Sequence, residues 1–264
     1  MAEFRDQLNR VINLNAIPKR IVSVVPSQTE LLFYWGLDAE IVGITKFCIH
    51  PKEKAKAITK VGGTKQLNVN LIKSLNPDLI IANKEENERG QIEALMDVCP
   101  VWISDIYDLE TAFGMIRGVG DIVGKRREAD TLNLEIRHRF DTYIFPPLNI
   151  TVAYFIWKNP YMVAGRQTYI DSLLQRCGFT NVFVSERYPE VSSDELVAAN
   201  PDVLFLSSEP YPFKQKHIDE FKQLLPKAKV VLVDGEMFSW YGSRLLQVPE
   251  YLKELLSEVG LLFQ

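Results

Sequence analysis

Residues 21–36 read IVSVVPSQTELLFYWG, and they decide the fold. Ile21–Val25 is a short β-branched run that ends at Pro26. SQTELLFYWG then places Glu30, Leu31 and Tyr34 at helical spacing, so the stretch reads strand, turn, helix. Ser27 with Glu30 has the form of a capping box, and Gly36 stops the helix. Moving outward, AEIVGI (39–44) predicts a strand, VNLIKSL (69–75) a helix, DLIIA (from Asp78) a strand, Gln91–Val98 a helix and VWIS (101–104) a strand. Strands alternating with helices at this spacing predict a parallel sheet covered by helices.

From 108 to 144 the pattern is helical without an intervening strand. Gly114, Gly118, Gly120 and Gly124 weaken its first part. Lys125–Tyr143 has neither Gly nor Pro, and Ala129, Leu132, Ile136, Phe140 and Ile144 form one apolar stripe. At ~1.5 Å per residue that helix spans roughly 28 Å, and Phe145-Pro146-Pro147 ends it. The alternation then restarts. ITVAYFIW (150–157) reads as a strand, GRQTYIDSLLQRCGF as a turn and helix, DVLFLSS (202–208) as a strand, HIDEFKQLL as a helix, KVVLVD (229–234) as a strand, and the residues from Ser243 on as helix.

A degenerate repeat links the halves. LIKSLNPDLIIAN (71–83) aligns with ELVAANPDVLFLS (195–207), and SQTELLFYWG (27–36) with RQTYIDSLLQRCG (166–178). The two alignments are displaced by different amounts, so this is no solenoid array. The fold class read from these patterns is α/β: two Rossmann-like α/β lobes joined by a single long backbone helix. The boundaries are 1–107 for the amino-terminal lobe, 108–147 for the connecting helical segment and 148–264 for the carboxyl-terminal lobe.

The 264 residues are 47% hydrophobic and 24% charged, an ordinary globular composition. Thirty Lys and Arg against 34 Asp and Glu leave a net charge of −4, with no basic run, which argues against a nucleic-acid partner. Cys48, Cys99 and Cys177 lie at spacings that suit neither a disulfide framework nor a thiolate zinc site. No apolar run approaches the ~18 residues of a membrane span. Glu3, Arg5, Asp6 and Arg10 interrupt the apolar core a secretory signal would need, so the chain as written is not expected to leave the cell by the usual route.

Ligands of open parallel sheets bind beyond the carboxyl ends of the strands. That rule selects Ser27-Gln28, Lys46–Pro51, Gly62–Gln66 with Thr64 and Lys65, and Lys84–Asn87 in the first lobe. In the second it selects Trp157–Tyr161, Gly165–Gln167 with Arg166, Ser208–Phe213 and Gly235–Arg244. Trp157, Tyr161, Tyr211, Phe213, Phe238, Trp240 and Tyr241 are many rings for loops and suit a large, partly apolar ligand; the alternative is that several pack one loop on its neighbour. His50 is either an axial nitrogen ligand to a metal-centred macrocycle or a hydrogen-bonding loop histidine. Met237 is a thioether ligand or a gap filler. Arg166 and Arg244 are candidates to clamp a carboxylate or phosphate, or else stitch the loop, for instance to Glu236. His138 and His217, each among charged residues, read as solvated surface positions. No nucleophile elbow, phosphate-binding loop or His-Glu-x-x-His is present, and Cys48 with His50 is a weak nucleophile–base pair, so the chain is read as no enzyme, with no cofactor of its own.

KRIVSVVPSQTELLFYWGL, VGGTKQLNVNLIKSLNPDLIIA, the long helix, VAGRQTYIDSLLQRCGFTNVF and VSSDELVAANPDVLFLS resemble, in order, the blocks of the helical-backbone (class III) substrate-binding proteins. These serve ABC importers of cobalamin, haem and ferric siderophores. The resemblance covers about residues 19–255 and is strongest to the cobalamin-binding type. It implies a monomer that captures a metal-chelate ligand between two lobes, an ABC permease as partner, and a periplasmic location; a signal-less cytoplasmic relative that binds a corrinoid or other bulky metabolite without a permease is the alternative. The family's first-lobe aromatics fall at His50 and Thr64, and a tryptophan of the last loop at Met237. The docking carboxylates, seven residues before Pro77 and Pro201, fall at Asn70 and Asp194.

Overall fold

The computed structural model describes residues 2–143, 149–258 and 260. A hairpin, β1 (Ala2–Arg5) and β2 (Val11–Leu14), opens the chain. It is followed by β3 (Ile21–Ser23), α1 (Pro26–Tyr34), β4 (Ile41–Ile44), α2 (Lys52–Ala57), the two-residue strands β5 (Gly62–Gly63) and β6 (Gln66–Leu67), α3 (Val69–Ser74), β7 (Leu79–Asn83), α4 (Arg89–Met96), β8 (Val101–Ser104), α5 (Leu109–Ile122) and α6 (Arg126–Thr142). Then come β9 (Ile150–Trp157), β10 (Tyr161–Val163), α7 (Tyr169–Arg176), β11 (Phe179–Asn181), β12 (Glu190–Val191), α8 (Ser193–Ala199), β13 (Val203–Ser207), α9 (Gln215–Leu224), β14 (Lys229–Val233), α10 (Gly235–Ser239), a 3-10 turn (Ser243–Leu246) and α11 (Val248–Glu258).

The chain condenses into two compact units. The first holds the residues up to Ile106 with Glu110–Arg137 and Tyr241–Arg244; the second holds Tyr107–Leu109, His138–Trp240 and the residues from Leu245 on. Of the segment expected to connect the lobes, Glu110–Arg137 falls in the first unit, while Asp108, Leu109 and the described residues from His138 to Tyr143 fall in the second.

In the first unit four parallel strands lie in the order β4-β3-β7-β8, with Ile21 opposite Leu79 and Ile80 opposite Val101. Their apolar side chains, among them Val22, Val24, Ile80 and Ala82, pack on Ile92 and Leu95 of α4 and Ile72 of α3. The amino-terminal hairpin was not foreseen. Its turn seals the open edge of β8: Gln7 N–H donates to Ile103 O (3.1 Å), Ile103 N–H donates to Asp6 (3.3 Å), and Arg10 donates to Val101 O (2.7 Å). An edge strand so covered is closed to pairing with another chain.

Helix α1 starts two residues earlier than its sequence suggests, with Val25 rather than Ser27 at the cap. Pro26 occupies the first turn, Val25 is the cap and offers no side-chain bond, and Ser27 lies inside the helix with its hydroxyl buried and without a hydrogen-bond partner. The expected Ser27–Glu30 box is thus not formed, because the fixed φ of Pro26 sets the helix start. Its far end is as expected: Gly36 takes φ +72°, Leu37 N–H reaches Leu32 O and Gly36 N–H reaches Phe33 O, both at 3.1 Å, a Schellman stop.

The glycines of α5 do not break it. A Cβ on Gly118 would lie 2.7 Å from Trp102 and one on Gly120 2.4 Å from the Ala129 Cβ, so these positions let α5 approach β8 and α6 closely. Ala129, Leu132, Ile136 and Phe140 are buried as one stripe of α6; Ile144 and the Phe145-Pro146-Pro147 stop lie outside the described residues.

The second unit's sheet runs β12-β10-β9-β13-β14, with β11 parallel to the first half of β9. β9, β13 and β14 are parallel, whereas β10 and β12 add an antiparallel edge that the sequence pattern does not announce. Phe155, Leu204, Leu206 and Phe221 centre its core.

The repeat is real at the level of hydrogen bonds. Asn68 caps α3 and Ser192 caps α8; Asn76 and Asn200 end those helices at φ +48° and +43°. Asp78 then accepts from the Lys19 and Arg20 amides (2.8 and 2.9 Å), as Asp202 accepts from the Thr151 amide and hydroxyl (2.8 and 2.7 Å). Each Asn-Pro-Asp block fastens a helix exit to the start of the neighbouring central strand. The Gln-Thr pairing goes no further than sequence, since Thr168 caps α7 whereas Thr29 lies within α1.

Candidate functional site

Polar residues close the carboxyl ends of the first unit's strands: Ser23 on β3, Thr45 after β4, Asn83 on β7 and Ser104 on β8, all buried. Such groups must find partners inside the protein. Ser104 Oγ accepts from Gln28 Nε2 (2.5 Å) and Asn83 Nδ2 (3.0 Å), and Asn83 Oδ1 accepts from the amides of Glu85 and Glu86 (2.8 and 3.0 Å). Asn87 ties three loops together, accepting from the Asn83 amide (2.8 Å) and donating to Val24 O and Thr64 O (both 3.1 Å). Lys65 Nζ donates to Glu85 O, and Lys46 N–H to Gly62 O (2.8 Å). Loops 46–50, 62–66 and 84–87 are one pinned face.

Of the residues expected on that face, His50 and Thr64 are half-buried and Lys65 is exposed. Ser27 and Gln28 are buried, and Gln28 Oε1, like Ser27 Oγ, has no hydrogen-bond partner. Two residues passed over by the sequence reading stand out instead, Phe47 and Ile49, which are 50% and 49% exposed. Cys48 between them is fully buried against Thr29 Oγ1 and Thr45 Oγ1, both at 3.2 Å. Burial pushes its thiol up, which removes the thiolate a nucleophile requires.

Tyr241 and Arg244, expected on the second lobe, belong to the first unit. Tyr241 OH accepts from Asn83 Nδ2 (2.9 Å) and donates to Glu86 (3.2 Å). The Arg244 guanidinium, expected to clamp a ligand anion, is buried and makes a two-pronged pair with Glu30 (3.0 and 2.8 Å).

In the second unit Trp157, at the end of β9, is 39% exposed and meets Tyr211 edge to face at 5.5 Å. Tyr161, half-buried, packs on Phe155 and Phe221. Phe238 is not a wall residue. It is 1% exposed, with Tyr154 at 5.0 Å and Tyr251 at 6.2 Å, so the core consumes its ring. Trp240 is buried too, its indole N–H donating to Glu209 (2.8 Å), which also accepts from Ser239 Oγ (2.8 Å). Burial, reinforced by Glu236 and Asp234, holds the Glu209 carboxyl above its ordinary range. Met237 is half-buried on α10, and Arg166 is exposed, its amide bonded to Ser185 O. His217 is not solvated as expected but buried, Nδ1 accepting from the Lys214 amide (2.8 Å). Asn70 and Asp194 are exposed in the first turns of α3 and α8.

Among the described residues no three His, Cys, Asp or Glu side chains converge as they would around a bare metal ion, and no helix is long and apolar enough to cross a membrane. A groove of about 420 Å³ runs between α5 and α6, and one of about 360 Å³ lies beside β2 and β8; neither is lined by the strand-end loops.

The profile of a family described as periplasmic binding protein matches residues 21–226, most of the chain and both repeats. The chain belongs to that family. The vitamin B12-binding protein of Pectobacterium carotovorum subsp. carotovorum is 23% identical over 255 residues, covering 93% of this chain and 91% of that protein. An uncharacterized ABC transporter substrate-binding lipoprotein of Bacillus subtilis is 24% identical over 263 residues, covering 94% and 83% respectively. The crystal structure of a periplasmic heme-binding protein from Pseudomonas aeruginosa superposes with a TM-score of 0.78 at 22% identity, over 90% of this chain and 92% of that one. The chain therefore shares its fold with that heme-binding protein.

Proposed function

We propose that this protein is the substrate-binding component of an ABC importer and that it captures a bulky, partly apolar metal chelate of the cobalamin, haem or ferric-siderophore class on its strand-end loops. The observation that carries the reading is the exposure of Trp157 beside Tyr211 at the carboxyl end of β9, within a chain whose family match spans residues 21–226. Rings left in water on a structured edge are what a large apolar ligand needs, and the strand ends are where α/β sheets place ligands. Metal enters with the ligand, and the protein supplies the walls, with His50 as the candidate axial donor on the first unit. Asp194, exposed at the start of α8, is the candidate permease contact, and Asn70 at the matching place on α3 offers a neutral one. The protein is taken to act as a monomer.

The test is an absorbance titration with cyanocobalamin, haemin and a ferric catecholate in parallel. Saturable one-to-one binding of at least one, weakened in Trp157→Ala, is expected. If none of the three binds, the reading is wrong.

A further inference from the structure

Phe47 and Ile49 stand on one strand-end loop and each leaves about half its surface in water, while Cys48 between them is fully buried. The exposure does not come from a loose loop. Lys46 N–H is bonded to Gly62 O, Cys48 N–H to Thr45 O (3.1 Å), and the Cys48 thiol to two buried threonines, so the backbone on both sides of Phe47 is held. The ring lies over the β5–β6 hairpin: a Cβ on Gly63 would come within 3.3 Å of both Phe47 and the Lys46 chain, and the Lys46 ammonium sits 5.0 Å from the ring centroid. A side chain at position 63 would crowd the ring and push it outward by a few tenths of an ångström. His50 and Thr64, both half-buried, stand in the same two loops.

We infer that Phe47 and Ile49 form the first unit's apolar contact surface for the ligand, with Lys46 at the rim to meet a carboxylate or amide on the ligand's edge. This rests on the reading of the protein as a receptor for a flat or bulky metal chelate. A ring held rigidly over glycine contributes contact area at little cost in side-chain freedom, which is how a preorganised binding surface gains affinity. The ligand class is accordingly a macrocycle or aromatic chelate with one broad apolar face, rather than a hydrophilic chelate recognised by charge alone.

The experiment compares wild type with Phe47→Ala, Ile49→Ala and Phe47→Trp, using whichever of cyanocobalamin, haemin or the ferric catecholate the wild type binds. Because both side chains are exposed, melting temperatures should stay within a degree or two of wild type, which separates binding from folding. Covering the exposed half of a phenylalanine predicts about five- to tenfold weaker binding in Phe47→Ala, a smaller loss in Ile49→Ala, and retention in Phe47→Trp. Wild-type binding that neither alanine variant weakens overturns this inference and leaves the receptor reading standing. Unchanged affinity with lost permease-dependent uptake also overturns it, making the patch a docking surface. A wild type that binds none of the probes overturns the receptor reading, and this inference with it.

Discussion

Removing the Arg244 guanidinium should destabilise the protein without touching its ligand affinity. The side chain is 8% exposed and pairs through two hydrogen bonds with Glu30, itself 16% exposed, on α1. In Arg244→Ala the Glu30 carboxylate keeps its burial and loses this counter-charge. Breaking one side of a buried pair costs about 3–5 kcal/mol, and the partial exposure of Glu30 places this case near the lower end, about 3 kcal/mol. At roughly 2–4 °C per kcal/mol for a domain of this size, Tm should fall by about 6–12 °C. Replacing both partners, Glu30→Gln with Arg244→Met, removes the stranded charge and should recover most of the loss. Thermal unfolding of the two single variants and the double variant, alongside a titration with the bound probe, checks this. An Arg244→Ala protein with unchanged Tm but lost affinity would refute the reasoning and return Arg244 to the ligand-clamp role its position in the sequence first suggested.

Native thiol titration at pH 8 should show no fast-reacting cysteine, because burial raises all three thiols, Cys99 and Cys177 to about 12; rapid modification of Cys48 would contradict its placement. Gly235→Ala should cost about 2 kcal/mol in urea unfolding, since the new Cβ would stand 2.4 Å from Ser207 Oγ and 3.0 Å from the Glu209 amide nitrogen, and backbone cannot swing aside. Two groups set opposite pH slopes. Glu209, raised by burial, binds its proton more tightly folded than unfolded, so its contribution to stability falls as pH rises from the ordinary value of 4.5 to its own raised one; Glu209→Gln should abolish that slope. His217, lowered by burial and then by Lys158 and Lys216, takes up its proton less readily folded than unfolded, so its contribution is lost as pH falls through 6.5 toward its lowered value; His217→Asn unfolding curves between pH 5 and 8 should lack that loss.

The parallel strands were legible because each is a short β-branched run closed by a helix signal, as at Ile21–Ser23 before α1. The α6 stripe was legible because its period is 3.6. The hairpin at Ala2–Leu14 was not, since AEFR and VINL are short and its value lies in side chains of Asp6, Gln7 and Arg10 that reach a strand nearly a hundred residues away. The same holds for Arg244, whose partner is 214 positions distant. Counting rings at strand ends could not tell Trp157 and Tyr161, which stay partly exposed, from Phe238, because Tyr154, Phe205 and Tyr251 enclose that ring only in three dimensions. Phe47 and Ile49 were missed for the opposite reason. The strand-end rule selected the loop KFCIHP, but nothing in those six letters says which apolar residues turn inward; the pinning of Cys48 inward turns its neighbours outward.

Hydrogen exchange with and without a saturating concentration of the bound probe tests the central claim most directly. The account predicts slowed exchange in residues 46–50 and 62–66 of the first unit and 157–161 of the second. Slowing confined to the α5–α6 groove at 110–137, or none in the strand-end loops, would contradict it.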